Sequence, residues 1–173
     1  MPTPAPQRAQ GFAPAVTPDI RVLILGSLPG VASLAAGQYY AHPRNSFWPI
    51  MSALLGQPLV QMPYEARLKV LNAGGVGLWD VLASAERSGS LDAAIRTPEA
   101  ADLRGLIDTL PALRAVAFNG AKSAAVGRKI LKDHFPETEL IDLPSSSPAH
   151  ARPLEDKLAR WAVLAPFLIR QGQ

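Results

Sequence analysis

Apolar residues in this chain gather into short runs separated by segments of helical period. The first run, RVLILG at Arg21–Gly26, is nearly continuous and ends at glycine, as expected of a strand buried on both faces. Three similar runs follow: VGLWDV at Val76–Val81, AVAFNG at Ala115–Gly120 and ELIDL at Glu139–Leu143. Between them, Ser46–Leu55 carries Phe47, Ile50, Met51, Leu54 and Leu55 at helical spacing. A stretch opening at Pro98 and running to Leu110 sets Leu103, Leu106, Ile107 and Leu110 on one face. Ala121–Lys132 is Ala-rich with Val126, Ile130 and Leu131, and Pro153 opens a last helix through Leu158, Trp161 and Leu164, since proline suits a first helical turn. Buried strands alternating with helices predict an α/β fold, a three-layer α/β/α sandwich around a central, mostly parallel four-stranded sheet.

The N-terminal MPTPAPQRAQGFAPAV is rich in Pro, Ala and Gln and has no apolar core of the kind a signal peptide carries. It predicts a flexible leader over residues 1–18, ahead of a single domain at 19–170. No apolar run approaches a membrane span, so no membrane partner is expected and the expected location is the cytoplasm. With no surplus apolar helix, the expected state is a monomer.

Composition narrows the chemistry. The chain has 173 residues and no cysteine, which excludes thiol nucleophiles, disulfides and cysteine-held zinc or iron–sulfur clusters. His42, His134 and His150 are not spaced as metal pairs, so neither a metal nor another cofactor is expected. The formal charge of +3 permits a polyanionic partner without demanding one.

In open α/β sheets, ligands sit beyond the carboxyl ends of the strands. Here those ends are GSLPG at Gly26–Gly30, the region after Trp79–Asp80, FNGAK after the third strand and LPSSSPAHAR at Leu143–Arg152. GSLPG reads first as a strand-to-loop turn. It lacks the Lys-Ser/Thr pair of a P-loop and the spacing of a dinucleotide fingerprint. The loop beyond it gathers Ser33, Tyr39, Tyr40, His42, Pro43, Arg44 and Asn45. Aromatic faces there can stack on a nucleobase and an Asn amide can hold a water, although Phe47 and Trp48 equally suit a core and Asn45 a helix cap. The serines of LPSSSPAHAR, locked between prolines, suit phosphate contacts or a solvated turn. No nucleophile elbow or Ser–His–Asp order accompanies them.

Taken together, GSLPGVASLAAGQYYAHPRNSFWPIM and LPSSSPAHAR resemble the two motif regions of the uracil-DNA glycosylase superfamily, its hypoxanthine branch above all, with GVGLWDVL and VAFNGAKSA similar to the intervening strand ends. The first region is also similar to the mismatch-specific G:T/U glycosylases. Those carry a catalytic Asn at the third position of the turn, where this chain has Leu28. In the hypoxanthine branch the catalytic role falls to the Asn of the HPRNSFW segment, here Asn45. The resemblance thus implies a monofunctional DNA glycosylase acting on DNA that contains a deaminated base, hypoxanthine foremost, with Leu28 weakening the case for uracil.

It further implies Asn45 as water positioner, base contact or both, and Tyr40 as base stacker. Gly26 and Ser27 would shape the base pocket, and His150 is a candidate for the leaving base, with Leu143 at the position where other branches have their leaving-group His. Arg44, Lys122, Ser145, Ser147 and Arg152 would contact phosphates. His42 suits either a structural or a catalytic role. The alternatives are a uracil or G:T/U mismatch glycosylase, a non-catalytic DNA-lesion-binding module, and a flavodoxin-like or small-molecule hydrolase domain, the last of which leaves both loops unexplained.

Overall fold

The computed structural model describes residues 8–169. Its elements in chain order are β1 (Arg8–Gln10), β2 (Val22–Gly26), α1 (Val31–Ala36), α2 (Phe47–Leu55), α3 (Tyr64–Ala73), β3 (Val76–Asp80), β4 (Leu82–Glu86), β5 (Arg96–Ala100), α4 (Leu103–Asp108), β6 (Ala115–Asn119), α5 (Ala121–Leu131), β7 (Glu139–Leu143) and α6 (Leu154–Trp161). A 3₁₀ stretch, Ala162–Phe167, follows α6.

The central sheet has the order β3-β2-β6-β7 and every pairing in it is parallel. Alternation along the strands divides the core. Val22 and Ile24 of β2, Val76 and Leu78 of β3, and Ala115 and Ala117 of β6 face Phe47, Ile50 and Met51 of α2, Leu71 of α3 and Trp161 of α6. Leu23, Leu25, Val116 and Phe118 face the other way, against Leu103 and Ile107 of α4 and Ala124 and Leu131 of α5. This is the three-layer α/β/α sandwich that the run pattern predicts.

Strand β2 sits centrally, with β3 on one side and β6 on the other, so the chain reverses direction across the sheet between β2 and β6. Their carboxyl ends form a topological switch point, where open α/β sheets leave a crevice. Gly26 ends β2 and Asn119 ends β6, and both line the cleft described below.

Two expectations are corrected. The leader placed over residues 1–18 does not hold from residue 8 onward; residues 1–7 lie outside the described residues. Arg8–Gln10 pairs antiparallel with β4, and Ala15 bridges to Leu78 at the open edge of β3. The Trp79 indole donates to the Phe12 carbonyl at 2.9 Å and the Tyr39 hydroxyl to the Ala13 carbonyl at 2.9 Å, tying this segment down. The helix expected from Pro98 begins only at Leu103. Pro98 lies in β5, outer strand of a second sheet of order β1-β4-β5, at an irregularity between the pairs Ser84–Glu99 and Glu86–Arg96, the kind of place where a strand accommodates proline.

A candidate base-excision cleft

One cleft of about 670 Å³ opens at the switch point. Four loops line it, following β2, β3–β4, β6 and β7, as the strand-end reading predicts.

Its floor is built around Gly26. A Cβ there would lie 2.5 Å from Asp80 Oδ1 and 3.2 Å from the Tyr40 hydroxyl, so no larger residue fits unless both withdraw. The carboxyl of Asp80 and the phenol of Tyr40 therefore converge over one bare backbone position. Asp80 is 4% exposed, and its Oδ2 has no hydrogen-bond partner among the described residues. Burial foremost, then the charge of Asp92, pushes its pKa up to about 7, with Arg87 opposing.

Tyr40 has φ of +56°, a left-handed backbone uncommon outside glycine, which turns its ring against Phe47 in a stack with centroids 4.1 Å apart. Its hydroxyl is buried and has no hydrogen-bond partner among the described residues. Burial foremost, with the Asp80 charge adding, pushes the phenol well above its ordinary range. The Asn119 carboxamide lies near enough to oppose this slightly without making a well-formed bond.

Beside the floor, the Ser27 hydroxyl donates to Asp92 Oδ1 at 2.5 Å. Arg87, 8% exposed, donates Nε to the Gly89 carbonyl at 3.1 Å and Nη2 to the Pro29 carbonyl, leaving Nη1 unpartnered. The Leu28 side chain belongs to the apolar cluster behind the turn and has no polar atom to offer the cleft it lines.

Asn45 lines the cleft just ahead of α2. Its Oδ1 accepts the Phe47 N–H at 3.0 Å and its own N–H donates to the His42 carbonyl at 2.9 Å. The N-cap of α2 is Ser46 rather than Asn45, one residue on from the cap expected, but the Asn45 oxygen still takes the Phe47 N–H, and that bond fixes the orientation of the amide. The amide nitrogen is left with two N–H donors to spend on a ligand. His42 Nδ1 accepts the Arg44 N–H at 3.1 Å, so the neutral ring carries its proton on Nε2.

The serine loop forms the opposite wall. Asn119 Nδ2 donates to Ser146 Oγ at 2.9 Å and Asn119 Oδ1 accepts the Ser146 N–H at 2.9 Å. Ser145 Oγ accepts the Ser147 N–H and Ser147 Oγ the Ala149 N–H, at 3.1 and 3.2 Å. Buried Lys157 donates to the Ser147 carbonyl at 3.2 Å, and the Ser46 N–H reaches the Ser146 carbonyl at 2.9 Å, joining this wall to the Asn45 loop. Gly120, with φ of +99°, lets β6 turn into α5 beneath Ser145, where a Cβ would meet the Ser145 Cβ at 3.2 Å.

The Uracil DNA glycosylase superfamily model matches residues 13–165. The chain belongs to the uracil DNA glycosylase superfamily. A hypoxanthine DNA glycosylase of Methanosarcina barkeri is 39% identical over 155 residues, covering 90% of this chain and 96% of that protein. One from Methanosarcina acetivorans is 38% identical over 152 residues, covering 88% and 94%. A candidate uracil DNA glycosylase of Methanosarcina acetivorans, solved by solution NMR, superposes with a TM-score of 0.81 at 35% identity, covering 92% of this chain and 97% of that one. As a superfamily member, the chain is an enzyme acting on N-glycosyl bonds of DNA.

Among the residues singled out in the sequence of this glycosylase, Gly26, Ser27, Tyr40, His42, Asn45, Lys122, Ser145, Ser147 and His150 all line the one cleft. Arg44 and Arg152 are exposed and lie outside its lining. Leu143 is buried in the core and is not among the residues that line the cleft. Asp80, Arg87, Asp92 and Asn119 were not singled out. The available signal for Asp80 was a carboxylate ending an otherwise apolar buried strand, costly there unless something uses it. Among the described residues no helix is long and apolar enough to cross a membrane.

Proposed function

We propose that the cleft hydrolyses the N-glycosidic bond of a deaminated base turned out of DNA, with hypoxanthine as the main substrate, as the names of the Methanosarcina relatives suggest. The observation that carries this is the carboxamide of Asn45 in the cleft wall, its oxygen held by the Phe47 N–H. A glycosidic bond breaks with oxocarbenium character on the sugar, so the attacking water needs positioning more than it needs a strong base. An amide of fixed orientation supplies that, either through the remaining lone pair of Oδ1 or through Nδ2. The flipped base stacks on Tyr40, backed by Phe47. Gly26 and Ser27 form the pocket floor, and His150 attends the leaving base.

Ser145 and Ser147 keep their hydroxyl protons for phosphates, because each Oγ accepts from the backbone. Lys122 at the rim and exposed Arg44 and Arg152 add charge. The enzyme acts as a cytosolic monomer on DNA. No lysine performs the chemistry, so borohydride should trap no Schiff base.

The test is single-turnover excision from duplexes carrying inosine, uracil, xanthine or a G:T pair. Inosine should be processed fastest, and Asn45→Ala should lower the rate roughly 10²–10³-fold. Near-normal turnover by Asn45→Ala would remove that residue from the chemistry. No base released from any duplex would overturn the glycosylase reading.

A further inference from the structure

Behind the serine wall lies a charge that the fold leaves unbalanced. Lys157 belongs to α6, is 2% exposed and is not among the residues that line the cleft. Its Nζ donates to the Ser147 carbonyl at 3.2 Å, an oxygen that the His150 N–H also reaches at 3.0 Å. The ion pairs among the described residues are Arg8–Glu99 and Arg128–Asp142, and Lys157 takes part in neither. Glu155 and Asp156, its neighbours in the helix, are exposed. Burial lowers the pKa of the amine, and no nearby carboxylate raises it again.

An ammonium taken out of water is costly unless an anion stands against it. The hydrogen bond gives no reason for a charge here, because the Ser147 carbonyl already has the His150 N–H. On the other side of the same loop, Ser145 Oγ accepts the Ser147 N–H and Ser147 Oγ the Ala149 N–H. Each hydroxyl therefore keeps its proton to donate into the cleft. Two O–H donors in front of a fixed cation suit a singly charged oxyanion.

Given the glycosylase reading above, on which this rests, we infer that Lys157 is the counter-charge of one DNA phosphate seated on the serine loop. It is a positioning residue, acting across the loop and not by contact with the DNA. A charge set back in the protein is screened less by salt than one at the surface, so it reaches an anion on the front face of the loop. Exposed Arg44 and Arg152 attract the backbone wherever it passes. A charge held at one point instead favours one phosphate, and so fixes the register of the strand in the cleft.

Two neutral variants separate the charge from the bond. Lys157→Met keeps much of the packing and loses both, whereas Lys157→Gln keeps a donor for the Ser147 carbonyl and loses only the charge. Affinity should be measured across a range of salt on a duplex carrying 2′-fluoro-deoxyinosine, whose glycosidic bond resists cleavage. Both variants should bind about tenfold more weakly than wild type near about 0.1 M salt. The slope of log affinity against log salt should become shallower by about 0.9 in each. Lys157→Met should melt no lower than wild type, since it removes a buried charge and leaves no bare acceptor.

A neutral methylphosphonate moved along the lesion strand finds the phosphate. At one position it should weaken wild type about tenfold but Lys157→Met by less than about threefold, as expected of two groups that act on each other. Wild-type affinity and slope in Lys157→Gln would make the residue a hydrogen-bonding prop and overturn the inference. So would a lower melting temperature of Lys157→Met with the salt slope unchanged, or equal losses in both proteins at every methylphosphonate position. A borohydride-trapped adduct that disappears in Lys157→Met would make the amine a nucleophile and overturn it as well. Wild type that releases no base from an inosine duplex would instead overturn the underlying glycosylase reading.

Discussion

The two walls of the cleft treat polar groups in opposite ways. On the serine wall, Asn119 meets both the N–H and the hydroxyl of Ser146, and Ser145, Ser147 and Lys157 close further bonds within the loop. On the Gly26 wall, Asp80 Oδ2, the Tyr40 hydroxyl and Arg87 Nη1 are all buried without a hydrogen-bond partner among the described residues. A wall saturated with internal bonds has stability and stiffness but little left for a ligand beyond its hydroxyl protons. A wall with unmet groups gives up stability to keep them available. Under the proposed function the first wall suits gripping the DNA backbone and the second suits reading the base, and the contrast can be broken from either side.

The largest effect should come from relieving the unmet wall. The pKa of Asp80 is raised from 3.8 to about 7 in the fold, so between those values the unfolded chain has already ionised while the folded protein stays neutral. The folded state then binds more protons, and stability falls as pH rises through that window. The contribution is fully present below the unfolded value and lost above about pH 7. Asp80→Asn has no such titration and should be more stable than wild type at pH 8 by up to about 4 kcal/mol, with the advantage shrinking toward pH 4. Denaturant melts at the two pH values check this. An advantage that does not change with pH would mean that Asp80 pays no ionisation penalty.

The saturated wall should respond in the opposite sense. Asn119→Ala leaves the Ser146 N–H and Oγ unpartnered at a site where Ser146 is 1% exposed, and should cost roughly 3 kcal/mol. Because the Ser146 carbonyl also receives the Ser46 N–H, loosening this loop should disturb the approach to Asn45 and weaken DNA binding with it. Thermal melts and salt-dependent binding give both readouts. Loss of less than about 1 kcal/mol would show that water replaces the carboxamide and that the wall is less closed than its bonds imply.

How far these walls could be read from sequence follows the same division. The four central strands were legible because each is a short, largely apolar run, three of them buried and β7, at the sheet edge, exposed at Glu139 and Asp142, and Asn45, Tyr40 and the serines because they cluster beyond strand ends. The second sheet was not. RAQ, LASAE and RTPEA lack a sustained apolar alternation, β5 is exposed throughout, and Pro98 resembles a helix start as readily as an outer-strand residue. Asp80 stands at a legible strand end, yet its significance comes from Gly26, Asp92 and Arg87, which converge only in three dimensions. The Asn119–Ser146 pair is likewise 27 positions apart, and no local pattern announces it.

The smallest expected effect separates the two unmet groups that meet over Gly26. If the ring of Tyr40 serves by stacking, its hydroxyl is a cost without a return, and Tyr40→Phe should stabilise the fold by about 1 kcal/mol, roughly 2–4 °C in Tm. Excision should stay within about threefold of wild type, since the aromatic face and its stack on Phe47 remain. Tyr40→Ala should instead weaken lesion binding by about 1–3 kcal/mol, the worth of a lost base stack. A Tyr40→Phe variant that gains stability but loses excision tenfold or more would put the hydroxyl, beside Asp80, among the groups that touch the base. The base would then be read from two points of the Gly26 wall rather than one, and the division between a gripping wall and a reading wall would stand on firmer chemistry.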